Sequence, residues 1–203
     1  MLQEPNNIAR DVTVGYYDRE VDAFAANTAH ADVSDLLSSF TSLLPPGAAV
    51  LDWGCGTGRD SRAMLDMGFA VTSIDASASM REKAAELFGV EVTRESFDDL
   101  NVESAFDGIW ACASLLHVRR SELPTVLRKA HKALVPGGVL YASFKYGSFE
   151  GLRGGRWFTD LDERSLAELV PDGFDILRMW ITADVRPERR DEKWLNCLLR
   201  RHS

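Results

Sequence analysis

Asp52, Gly54, Gly56 and Gly58 alternate in the run Asp52-Trp53-Gly54-Cys55-Gly56-Thr57-Gly58, and Asp75 follows 21 residues after Gly54. Together these residue types suit the holding of a nucleoside cofactor. Glycines in a turn between a strand and a helix let a ligand approach the backbone, because no Cβ stands in the way. The helix that follows offers unpaired N–H groups at its start. Asp75 closes the β-branched run Ala70-Val71-Thr72-Ser73-Ile74, and an acid at that place can accept hydrogen bonds from both ribose hydroxyls. The alternative for Asp75 is a helix-capping or loop acid, but Ser77 or Ser79 can cap the next helix and leave Asp75 for a ligand. A nicotinamide turn is spaced G-x-G-x-x-G; here the third glycine comes one residue early, position 59 being Arg.

Two further stretches carry groups able to act on a substrate. The apolar run Ile109-Trp110-Ala111-Cys112-Ala113-Ser114-Leu115-Leu116 ends at His117. A histidine can take a proton near neutral pH, although a structural or hydrogen-bonding role is the favoured reading. Farther on, Lys145 and Tyr146 lead into Gly147-Ser148-Phe149-Glu150-Gly151-Leu152-Arg153-Gly154-Gly155-Arg156-Trp157. Four glycines predict a mobile lid, and Lys145, Arg153 and Arg156 make it locally cationic. Lys145, Tyr146, Arg153, Arg156 and Trp157 are therefore the candidate contacts for a small substrate bearing an anionic group. A solvated basic loop is the competing reading.

The elements that position these residues alternate. Residues 11–44 are predicted helical, with Val33, Leu36, Leu37, Phe40, Leu43 and Leu44 at helical spacing, and Pro45-Pro46-Gly47 ends them. Strands at 49–53, 70–75, 90–94, 106–111 and 139–145 are separated by helices at 58–67, 79–87 and 121–134. That order predicts a parallel sheet with helices on both faces. After a helix near 162–170, strands at 174–181 and 194–200 joined by a polar loop predict a terminal hairpin.

Composition narrows the class. With 203 residues, 45% of them hydrophobic, the chain has material for one α/β domain with a substantial core. A net charge of −8 argues against broad binding to a phosphate backbone, so no nucleic-acid partner is expected. No run reaches the roughly 20 apolar residues needed to span a membrane, and the first residues lack the pattern of a signal peptide. Cys55, Cys112 and Cys197 are odd in number and widely spaced, which predicts buried free thiols in a reduced, cytoplasmic setting. No His and acid cluster of metal-binding type is present, so no metal is expected.

The D-x-G-x-G-x-G spacing, with Leu134-Val135-Pro136-Gly137-Gly138 before the fifth strand, resembles the class I S-adenosylmethionine (SAM)-dependent methyltransferases over about residues 48–200. The resemblance implies a Rossmann-like, doubly wound, seven-stranded α/β sheet, mostly parallel with a C-terminal antiparallel hairpin. It implies a single domain over 1–203, with a helical cap at 1–44 and the core at 45–203. By the same resemblance, Asp52 and the Gly54, Gly56 and Gly58 turn hold the methionine part of SAM, Asp75 the ribose, Ala76 the adenine, and the Ala111 backbone the methionine part again. Many relatives carry an acid after strand three for the adenine amino group; here that contact stays open among Ser96, Phe97 and Asp98. Tyr17, in the segment that folds over the cofactor in relatives, is a candidate for the cofactor edge, with ordinary packing the equal alternative. The implied activity is methyl transfer to a small molecule, with S-adenosylhomocysteine (SAH) as product, by a monomer or homodimer. His117 would lie where substrates lie. The motif is also similar to tellurite- and thiol-type detoxifying members. A SAM-binding regulator and a nicotinamide oxidoreductase are the competing readings.

Overall fold

The computed structural model describes residues 5–203, with side chains from residue 9 onward. Three helices come first: α1 (Pro5–Arg19), α2 (Val21–Thr28) and α3 (Ser34–Thr41). The predicted helical stretch 11–44 is thus broken, and the breaks fall at Glu20 and around residues 29–33. A seven-stranded sheet follows, built from β1 (Ala49–Trp53), β2 (Ala70–Asp75), β3 (Thr93–Arg94), β4 (Phe106–Ala111), β5 (Leu134–Lys145), β8 (Phe174–Ala183) and β9 (Lys193–Arg201). Their spatial order is β3-β2-β1-β4-β5-β9-β8. All pairs are parallel except those made by β9, which runs antiparallel to both β5 and β8.

Helices cover both faces. On one, α6 (Leu123–Ala133) and α7 (Glu163–Leu169) bury Leu123, Val126, Leu127, Ala130 and Leu166 against Leu51, Ile109, Leu140 and Leu195. On the other, Leu37 and Phe40 of α3 and Met64 of α4 (Arg59–Asp66) pack on Val50, Trp110 and Tyr141. Trp110 and Tyr141 stack with centroids 4.0 Å apart. The remaining helix, α5 (Ala78–Phe88), connects β2 to β3. The fully buried central strands explain the continuous apolar runs seen in the sequence.

Three differences from the sequence expectation have local causes. β3 is two residues long, not five, and forms the sheet edge, where Thr93 and Arg94 are exposed. β5 starts at Leu134, five residues early, because it pairs Phe106 with Leu134 and then slips register past the Pro136-Gly137-Gly138 segment. The largest difference lies at the predicted lid. Glu150–Arg153 (β6) and Arg156–Thr159 (β7) form a separate antiparallel hairpin. Gly154 and Gly155 make its two-residue turn with φ of +56° and +80°, the left-handed pair that suits a tight hairpin. Its glycines therefore shape a built element.

Candidate active site

The chain passes from β1 to β2 and β3 on one side, then crosses to β4 on the other. A crevice opens at that switch point, at the carboxyl ends of the strands. A cavity occupies it, walled by the turn after β1, the tips of β2 and β3, the segment after β4, and α1. It contains the side chains or backbone of Asp52, Gly54, Gly56, Asp75, Ala76, Ser96, Phe97, Tyr17 and His117. Gly58 stands outside it and ends the turn as the left-handed residue before α4.

The glycine turn is knitted to its neighbours. The Gly54 and Cys55 N–H groups both donate to the Ile74 carbonyl, at 2.9 and 3.0 Å. Gly54 has φ +84°, and a Cβ there would lie 2.6 Å from Ser114 Cβ. Ser114 in turn donates to the Trp53 carbonyl at 2.6 Å. The turn can therefore come close to the segment after β4 only without a side chain at position 54.

The acids are deep. Asp52 is 2% exposed and accepts from Ser61 Oγ at 2.6 Å, with Ser73 Oγ donating to Ser61 behind it. Burial and the neighbouring Asp60 carboxylate push Asp52 well above the usual carboxylate range. Asp75 is fixed by two backbone donors, Gly56 N–H on Oδ2 and Ser77 N–H on Oδ1, each at 2.9 Å; burial raises its pKa too. Ser77 caps α5 through Met80 N–H, as the spacing suggested. Ser96 spends both its N–H and its hydroxyl on Asp99. Phe97 meets Trp53 edge-on at 5.3 Å.

His117 is locked on both nitrogens. Nδ1 lies 2.6 Å from the Trp157 carbonyl, so it carries the proton and donates. Nε2 is then the acceptor for the Tyr17 hydroxyl at 2.7 Å. Burial, with the Arg156 guanidinium adding to it, holds His117 down to about 4, and it is neutral at pH 7. Tyr17 also accepts from Arg156 Nη1 at 3.3 Å. Trp157 N–H donates to Thr13 Oγ1 of α1 at 2.9 Å. The structure thus joins α1, the segment after β4 and the hairpin in one hydrogen-bonded seam.

Six expected contacts lie elsewhere. Ala111 is fully buried in the core and does not wall the cavity; Cys112, Ala113 and Ser114 do. Lys145 is buried against Asp184 at 3.2 Å and Glu192, over the Trp194 ring. Tyr146 lies on the surface next to Glu163. Arg153 pairs with Asp160 at 2.6 Å and covers the Phe149 and Phe158 rings. Arg156 lies over Tyr16 and Tyr17. Trp157 stacks beneath Arg119, and its N–H reaches Thr13 of α1. Lys145 and Arg153 are paired with acids, Arg156 is held over aromatic rings, and none of the three walls the cavity.

The sequence reading missed several wall residues. Thr13, Val14, Phe24 and Thr28 come from the helical segment, and Arg59 with Asp60 from the start of α4. Asp60 accepts from Arg59 Nε and Nη2 and from Trp110 Nε1 at 2.9 Å, while Arg59 Nη1 donates to the Thr28 carbonyl. The charged pair directly after the third glycine was the available signal.

These strands, this turn and this acid define the fold of a class I SAM-dependent methyltransferase. Residues 50–138 match the model of the family described as "Methyltransferase domain". The chain is 34% identical over 103 residues to 2-methyl-6-phytyl-1,4-hydroquinone methyltransferase of Synechocystis sp., a stretch covering 48% of this chain and 32% of that protein. It is 38% identical over 109 residues to the ubiquinone biosynthesis O-methyltransferase of Xanthomonas axonopodis pv. citri, covering 50% and 44%. The matched stretch is thus less than half the length of either relative. Among solved structures, the 1,6-didemethyltoxoflavin-N1-methyltransferase of Burkholderia thailandensis, with 1,6-didemethyltoxoflavin and SAH bound, superposes with TM-score 0.77 at 24% identity, over 100% of this chain and 92% of that one. The SAM-bound magnesium protoporphyrin IX methyltransferase of Synechocystis gives 0.72 at 18%, over 98% of each chain.

Proposed function

We propose that the protein transfers a methyl group from SAM to an uncharged small-molecule acceptor. The observation that carries the reading is the pairing of the Gly54 cradle with two buried acids. Asp52 lies beside the turn, where a cofactor ammonium would meet it, and Asp75 presents a carboxylate pinned by Gly56 and Ser77 to a ribose. The site fits SAM: Asp52 and Asp75 wall the same cavity as the Gly54 turn, and the Asp52 carboxyl, kept neutral by burial, would ionise beside a cofactor ammonium. Bound SAM supplies an activated methyl on a sulfonium, so alignment and exclusion of water can provide much of the rate.

The protein residues supply that alignment. Tyr17, Thr13 and Val14 of α1 cover the cavity, and the seam to His117 and Trp157 holds α1 down. His117 has its acceptor nitrogen occupied and orients Tyr17; it does not take a proton in this arrangement. Six acids wall the cavity (Asp52, Asp60, Asp75, Glu95, Asp98 and Glu122) against Arg10 and Arg59, and Arg59 is held by Asp60. Arg10 is paired with Asp98 and Arg59 with Asp60, so among the described residues the cavity wall offers an anionic acceptor no unpaired cation. The rings of Tyr17 and Phe24, 5.1 Å apart and edge to face, favour an acceptor that carries a ring.

Calorimetric titration with SAM, SAH and NADH, on the wild type and Asp75→Ala, tests the cofactor. Binding of SAM and SAH that the substitution abolishes supports the reading, and binding of NADH alone overturns it. A methyl-transfer screen of ring hydroxyl and ring nitrogen compounds, each paired with its carboxylated analogue, tests the acceptor. Turnover confined to the carboxylated members would remove the uncharged assignment.

A further inference from the structure

Asp18 lies one residue beyond Tyr17 on α1 and outside the cofactor cavity. Its Oδ1 accepts from the Ser77 hydroxyl at 2.6 Å and from Ser79 N–H at 3.2 Å. Ser77 is 1% exposed, and its hydroxyl and N–H make three bonds. Its hydroxyl donates to Asp18, its Oγ accepts from Met80 N–H at 3.1 Å, and its N–H donates to Asp75 Oδ1 at 2.9 Å. Asp75 Oδ2 is held by Gly56 N–H. An unbroken line thus runs from α1 through Ser77 to the carboxylate and on to the glycine turn.

The line has a physical purpose. The terminal torsion of an aspartate is broad, so a carboxylate presents two oxygens at fixed angles only when neighbours pin its plane. Ser77 N–H is one of the two pins, and the Ser77 hydroxyl has a single proton. Without Asp18 that proton loses its acceptor in a buried place, and the backbone from Ser77 to Ser79 that carries the pin loses both of its ties to α1.

We infer that Asp18 is a positioning residue for the cofactor ribose, acting through Ser77 on Asp75, so that ribose recognition is completed only when α1 is docked. The inference rests on the proposed role of Asp75 in binding SAM. It makes α1 a participant in recognising the nucleoside in addition to covering it.

The experiment compares SAH with its 2′,3′-dideoxy analogue, which lacks the ribose hydroxyls, by calorimetry on the wild type, Asp18→Ala, Asp18→Asn and Asp75→Ala, and on the double Asp18→Ala/Asp75→Ala variant. Thermal melts confirm the fold of each. Asp18→Ala is expected to weaken SAH about tenfold, the scale of one lost charge-assisted hydrogen bond, and to leave the dideoxy analogue unchanged. Asp18→Asn keeps an acceptor oxygen and should recover most of the loss. In the Asp75→Ala background, Asp18→Ala should add nothing. Equal weakening of both ligands would show that Asp18 only supports the fold, and no weakening of either would also overturn the inference. If the wild type bound neither ligand, the cofactor reading itself would fall. Should Asp18→Ala not fold, Ser77→Ala breaks the same line from its middle and carries the same comparison.

Discussion

A buried neutral histidine has a pH signature that can be worked out in advance. His117 is held down to about 4 in the folded protein, against 6.5 when free. Well above pH 6.5 the ring is neutral in both states. As the pH falls through that value the unfolded chain takes up a proton while the folded protein does not, so stability is lost progressively until about pH 4, where the folded ring also charges. Integrated from pH 7 to pH 5, the loss is about 2 kcal/mol from this one group. Other groups titrate in the same interval, so the measurement is a difference. His117→Asn retains an amide N–H for the Trp157 carbonyl but cannot titrate. Its stability at pH 7 drops by roughly 1 kcal/mol, because the Tyr17 hydroxyl loses its acceptor; the variant lacks the titration, so at pH 5 the deficit reverses to an advantage of roughly 1 kcal/mol. Urea unfolding at pH 7 and pH 5 reads both proteins. With a slope near 2 kcal/mol per molar, the wild-type midpoint should fall about 1 M further than the variant's. Asp52 and Asp75 are common to both and cancel. Equal falls in the two proteins would refute the reasoning, since His117 would then titrate normally and be available as a base.

Three further outcomes follow from the geometry. Gly54→Ala places a side chain at φ +84° against Ser114; about 1–2 kcal/mol of backbone strain should lower the melting temperature, and SAM affinity should fall more than tenfold by calorimetry. Burial holds the Asp52 carboxyl well above the usual carboxylate range, so pairing with the SAM ammonium at pH 7 should release a proton, seen as an enthalpy that varies with the ionisation heat of the buffer, and Asp52→Asn should flatten that dependence. Lys145→Met removes one partner of the buried Asp184, which keeps Arg186 and the Trp194 N–H. Its stability cost should therefore be about 2 kcal/mol, below the full cost of breaking a buried pair, with acceptor KM unchanged, whereas a raised KM would return Lys145 to the substrate site.

The parts of the fold legible in the sequence are those set by local pattern. The run from Ala49 to Asp66 reads as strand, turn and helix because its apolar residues are contiguous and its glycines fall where the backbone needs positive φ. The terminal pair β8 and β9 is legible through the polar stretch between two apolar ones. Short strands are not: β6 and β7 have four residues each, two of the eight next to a Gly-Gly turn, and resemble loop in any window. Long-range partners are equally silent. Lys145 meets Asp184 and Glu192 at separations of 39 and 47 residues, and Tyr17 meets His117 across 100. Counting cations along 145–157 predicts a basic lid, whereas Lys145 and Arg153 meet acids from the β8–β9 loop and Asp160, and Arg156 lies over aromatic rings.

The seam between Thr13 and Trp157 joins positions 144 residues apart. The roof over the cavity is accordingly written in two remote passages of the chain, one before the first strand and one between the fifth and the last. Grafting either passage alone from a relative would set a foreign helix against a native hairpin, or the reverse. In a shuffled library, productive chimaeras should inherit both passages from one parent, while the intervening cofactor half remains freely exchangeable.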